Sequence, residues 1–238
     1  MLSTKSSARD SSPLEDAKLP YSLTIGNHDS NATGPGGGAR PVLNIHDEQR
    51  RTTTFNQYFP AQRFGAVRGA YEAGKVDNVW SSFVAGGQKW MVLNIELWPR
   101  KGAVDWAKSV VASRPDHNVI ISTNSYLNSD GSISTSNGGY GDTSPKYLYD
   151  ELVSQYPNVR VVLSGHVGST RTRIDTGVKG NRIVTYLTAI HSRSTNPIRF
   201  IEMDTAANTA RTWVYGPRGD TTFPDATGTQ TGMGWVKG

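Results

Sequence analysis

The sequence of 238 residues contains no cysteine. Disulfides and thiolate-held metals are therefore excluded, and any metal must be held by His, Asp, Glu, Asn or backbone oxygen. That restriction favours harder divalent ions or zinc. Apolar residues never run for the 18 or so positions that a membrane span needs. The opening residues, MLSTKSSARDSS, lack the apolar core of a signal peptide. Basic residues exceed acidic ones modestly, for a net charge of +5. They form no long Lys/Arg run laced with aromatics, so nothing argues for nucleic acid. Histidine is scarce, at five residues: His28, His46, His117, His166 and His191.

What is present is the pattern of one sizeable globular domain rich in turns, with 25 Gly and 12 Pro. Strand-like apolar runs occur at YSLTI (21–25), KWMVLNIEL (89–97), NVIIST (118–123) and VRVVLSG (159–165). RIVTYLTA (182–189), IRFIEMD (198–204) and TARTWVYG (209–216) follow. The middle runs are β-branched and nearly continuous, as in strands buried on both faces. The last three, closely spaced, predict an antiparallel meander. GAVDWAKSVVAS (102–113) predicts a helix with Ala103, Trp106, Ala107 and Val110 on one face. A second helix is predicted from the Ser144 N-cap and Pro145 at its first position, with Tyr149, Leu152, Val153 and Tyr156 on one face. Across 89–165 the alternation reads as βαβαβ with a parallel core. Residues 30–41, 128–142 and the tail from Gly216 are loops by composition. The first two follow strand-like runs, and loops at the carboxyl ends of strands carry ligand sites in open α/β sheets.

His28 and His166 stand out because each follows an apolar run and a glycine, in IGNHD and LSGHVG. A glycine there lets the chain turn sharply and present the next side chains at the sheet edge. For either histidine alone, an ordinary hydrogen-bonding residue is the commoner outcome. His46, His117 and His191 have no such context and are read as ordinary.

GNHD, followed far downstream by a strand ending SGH, resembles the calcineurin-like metallophosphoesterases. FNQYFP, KWMVLNIELWPR and YLNSDGS make the chain look closest to their secreted bacterial branch. The resemblance covers most of residues 14–204. It implies an α/β fold, an αββα two-sheet sandwich, and a site for divalent metal (Mn, Zn, Fe or Mg) acting on a phosphoester small molecule or a phosphorylated substrate. By the same resemblance Asn27 and His166 are metal ligands, His28 donates a proton to the leaving alcohol and Asp29 orients His28. Asn124 stands where the family has a ligand histidine. The branch also suggests an extracellular location.

The chain departs from the family pattern in four places. The Asp-x-His and Gly-Asp motifs that precede GNHD in the family are not found. Asn124 replaces a His, and Gly168 stands where the last motif ends in His. Two divalent ions about 3.7 Å apart repel by roughly 18 kcal/mol at an effective dielectric of about 20. Without a bridging carboxylate the expectation is at most one metal in this chain. The sequence thus predicts a single domain over 1–238 that lacks the sandwich's first strands, with 1–13 and 217–238 as flexible ends. The resemblance implies either phosphomono- or phosphodiester hydrolysis at a degenerate centre, or phosphate, sugar or protein binding by an inactive relative. Arg171 and Arg173, just after GHVGST, are candidates for steering a phosphate.

Overall fold

The computed structural model of the protein describes residues 12–190 and 195–237, so His191 lies outside the described residues. Three short helices come first: α1 (Ser12–Asp16), α2 (Ile45–Gln49) and α3 (Thr53–Tyr58). Then follow β1 (Val67–Ala70), β2 (Val79–Ala85), β3 (Gln88–Asn94), helix α4 (Lys101–Ala112) and β4 (His117–Ser122). Helix α5 (Pro145–Leu148) continues as a π-turn over Tyr149–Val153, ahead of β5 (Val159–Ser164). The remaining strands are β6 (Thr170–Thr176), β7 (Arg182–Thr188), β8 (Ile198–Asp204), β9 (Thr209–Gly216), β10 (Thr221–Thr222) and β11 (Gly228–Thr231).

The β-branched runs have no polar face, so they must be covered on both sides, and they are. One sheet has the order β1-β2-β3-β4-β5-β7-β6. Its centre, β3-β4-β5-β7, is parallel. On one face Val104, Ala107 and Val111 of α4, with Leu148, Leu152 and Val153, pack against Leu93, Ile121 and Val162. On the other face Trp90, Ile120, Val161, Val184 and Tyr186 meet Ala210 of β9, with Ile201 and Met203 of β8 beside them. The second sheet consists of β8, β9, β10 and β11. The expected α/β two-sheet sandwich is therefore observed. Arg199 on β8 ties the sheets together, donating to Thr188 Oγ1 at the end of β7 and to Thr212 Oγ1 on β9.

The βαβαβ unit and both predicted helices are found, and the Ser144 hydroxyl accepts from Tyr147 N as an N-cap should. Three local expectations differ. Residues 21–25 form no strand and join no ladder; Leu23 O is bonded by the Asn94 side chain instead, and Thr24 Oγ1 pairs with Ser122 Oγ at 2.6 Å. The predicted three-strand meander divides, since β7 belongs to the first sheet and only β8 and β9 form an antiparallel pair. Residues 217–237, where composition predicts a flexible end, instead carry β10 and β11 and bury Met233 and Trp235. No helix among the described residues is long and apolar enough to cross a membrane.

Candidate functional site

Parallel strands present all their carboxyl ends on one side, and the chain's GNHD and SGH segments come together there. Beyond residues 21–25 the backbone makes a 3-10 turn over Asn27–Asp29. The Asp29 carboxylate accepts from Gly26 N at 2.9 Å and closes the turn. Gly26 is closely packed, since a Cβ there would stand 3.0 Å from Asn124 Nδ2 and press on that side chain. Asn27 is buried and donates through Nδ2 to Gly37 O at 3.2 Å, which leaves its amide oxygen free. His28 is exposed, and its Nε2 lies 2.9 Å from where a Cβ on Gly37 would be. Gly37 has φ of +89°, so glycine serves both the turn and the close approach.

Asn124 follows β4 by two residues and His166 follows β5 by two. The two segments are joined where Gly165 N donates to Asn124 O at 2.9 Å. The Asn124 side-chain oxygen is buried without a hydrogen-bond partner. His166 holds the left-handed conformation, φ +73°, which is uncommon for a residue other than glycine. Trp98 meets that ring edge to face at 5.6 Å and packs likewise against Tyr140 at 4.9 Å. Burial pushes the His166 pKa below the ordinary imidazole value, and the charge of nearby His28 adds to the effect. His166 is therefore biased to the neutral form, which is the metal-ligating form. Burial also raises the Asp29 carboxyl, against the Gly26 hydrogen bond.

The structure thus gathers Asn27, His28, Asp29, Asn124 and His166. With the Asp29 carboxylate engaged by Gly26 N, Asn27, Asn124 and His166 offer a metal two amide oxygens and an imidazole, all neutral. An orphaned buried acceptor such as Asn124 Oδ1 is what a cation would satisfy. A neutral donor set fits one divalent ion held weakly, and offers nothing to offset the repulsion of two.

Arg171 and Arg173 lie on β6, an edge strand. Arg173 is held by Asp175 at 2.7–3.0 Å and also donates to Gly131 O. Arg171 is exposed and donates to Thr170 O. Among the described residues, no hydrogen bond or ion pair links either to the gathered residues. His117, at the opposite end of β4, pairs with Asp116, and His46 is exposed on α2.

Glu72, Asp77 and Glu96 place carboxylate oxygens within 4.8 Å of one another. Each is already engaged. Arg100 bridges Glu96 and Glu72, Arg50 approaches Glu96 at 3.5 Å, and Lys75 pairs with Glu72. Thr52 and Asn56 donate to Asp77. Burial alone would raise Glu96, but the Arg100 hydrogen bonds and the charges of Arg50 and Arg100 carry it below its usual value. A small cavity lined by Gly26, Ser30, Arg50, Asp77 and Glu96 lies between this network and the GNHD turn.

Trp98, Tyr140 and Gly37 are site residues that sequence reasoning missed. GPGGGAR carried the one usable signal, since consecutive glycines permit a backbone to pass close to a side chain. No protein-family model matches the chain. It is 24% identical over 176 residues to the uncharacterised protein YvnB of Bacillus subtilis (strain 168), an alignment spanning 72% of this chain and 12% of that protein. The chain therefore corresponds to a small part of the length of this relative. Among solved structures, it aligns with purple acid phosphatase PPD1 from yellow lupin (Lupinus luteus) seeds at a TM-score of 0.47 and 14% identity. That alignment covers 91% of this chain and 43% of the phosphatase.

Proposed function

We propose that this chain is a metallophosphoesterase-type hydrolase of a phosphomono- or phosphodiester, with a reduced centre that takes one divalent cation. The observation that carries this reading is the meeting of an exposed His28 with His166, Asn27 and the orphaned Asn124 oxygen at the carboxyl ends of parallel strands. Asn27, Asn124 and His166 would hold the ion. When bound, it would supply Lewis-acid polarisation of a phosphoryl oxygen. His28, exposed beside them, gives a proton to the leaving alcohol, as a positioned imidazole can near neutral pH. Asp29 acts on the turn that carries His28, through Gly26 N, and so keeps the imidazole in place.

The neutral donor set favours a second reading, an inactive module that binds a phosphate-bearing ligand. The two readings separate in one experiment. Hydrolysis of an aryl phosphodiester and an aryl phosphomonoester is followed with manganese, for the wild type and His28→Ala. Turnover above a metal-only background, lost in His28→Ala, supports the hydrolase. Saturable phosphate binding without turnover supports the module.

A further inference from the structure

At the amino ends of the parallel strands, opposite the site just described, two arginines carry buried nitrogens that no group among the described residues satisfies. Arg160 on β5 is only 8% exposed. The β4–β5 register steps from Val119↔Val159 to Ile120↔Val161, so Arg160 is the extra residue of a bulge. Bulges re-aim side chains. Here the guanidinium reaches the C-terminal segment, donating from Nη1 to Met233 O at 3.2 Å. The chain passes close by at Gly234, with φ +63°, where a Cβ would stand 3.5 Å from Nη1. Arg160 Nε is buried without a partner.

Arg182 opens the neighbouring strand β7. Val161 pairs with Val184, so Arg182 lies at the same end of its strand as Arg160. Strand alternation puts Arg182 on the face of Val184, which is the face toward the second sheet. Its Nε, too, is buried and unpartnered. Neighbouring strands run about 4.8 Å apart, within the span of one small anion held by two side chains. Neither arginine forms an ion pair among the described residues. Arg199 is different, because neutral acceptors on Thr188, Thr212, Ala226 and Leu187 take up its N–H groups.

Burying a guanidinium without an acid is costly, and the cost is recovered only by a partner that accepts its hydrogen bonds. Burial lowers the Arg160 pKa, and no neighbouring acid opposes the shift. Two forked donors on one face match the oxygens of a phosphate better than any single acceptor does. We propose that Arg160 and Arg182 form an anion-binding point for a phosphate group, at the end of the sheet opposite His28 and His166. It stands independently of the hydrolase reading.

The test follows the arginine Nε–H resonances of Arg160 and Arg182 by NMR while inorganic phosphate is titrated at constant ionic strength. Because the signals are residue-specific, phosphate at the His28 site does not confuse them. A saturable shift at both residues is expected, with affinity reduced about 10-fold or more in Arg182→Gln. Arg182→Gln replaces the less buried of the two side chains and leaves Arg160 in place. Absence of a saturable shift, unchanged affinity in Arg182→Gln, or an equal response to acetate would each overturn the proposal.

Discussion

Asn124 is two residues past β4, against Gly26 and Gly165, with an amide oxygen that nothing among the described residues satisfies. An amide oxygen is a weaker donor on a shorter arm than an imidazole nitrogen. Asn124→His should therefore tighten metal binding at the Asn27–His166 site. It should leave aryl phosphodiester turnover near the metal-only background, because no carboxylate stands among the donors Asn27, Asn124 and His166, the Asp29 carboxylate being turned to Gly26 N. Robust turnover from that substitution would show that acids from elsewhere complete the centre. His166 makes a separate prediction about pH. Burial and His28 hold its pKa below the unfolded value near 6.5, so the unfolded chain binds that proton more readily. The contribution to stability is whole above about pH 6.5 and is lost as pH falls through the lower folded value. One group gives a slope of at most about 1.4 kcal/mol per pH unit. Melting temperatures of His166→Gln should fall less steeply than wild type on acidification below that pH, and parallel curves would refute the assignment.

The elements that were legible in the sequence are those whose pattern admits one solution. NVIIST and VRVVLSG have no polar face, and the helical signals between them leave only a parallel crossover. Ser144 and Pro145 mark a helix start because each satisfies or removes an orphan N–H. Ser144→Ala should cost about 1 kcal/mol in chemical denaturation, and no change would mean that the cap bond to Tyr147 is not formed in solution. Other elements were less legible for physical reasons. TRTRIDT forms β6 at a sheet edge, where polar residues on both faces hide the alternation. IRFIEMD and TARTWVYG give their hairpin away, but nothing in RIVTYLTA says that the chain changes sheets after it. YSLTI has strand composition, yet Asn94 and Ser122 bond it through side chains. Arg173 was a free cation in the sequence, and only the structure shows Asp175 neutralising it.

At the scale of the whole molecule, the sheets meet through a core that the C-terminal segment completes. Trp235 packs edge to face on Trp90 and donates to Asp204 O, while Val236 N bonds the Asn118 side chain. Trp235→Ala should destabilise the fold by about 3–5 kcal/mol; a loss under about 1 kcal/mol would mean that the tail does not pack there in solution. The candidate site is at the far end of the same sheet. Its location was legible because GNHD and SGH each end an apolar run, whereas the aromatic contact of Trp98 with His166 depends on loop geometry that no local pattern encodes. The central claim is that Asn27, Asn124 and His166 together hold one divalent ion beside His28. Calorimetric titration of manganese into wild type, His28→Ala and His166→Ala tests it most directly. The account predicts a single weak site that survives His28→Ala and is abolished by His166→Ala. Two tight sites, or binding that is indifferent to His166→Ala, would contradict it.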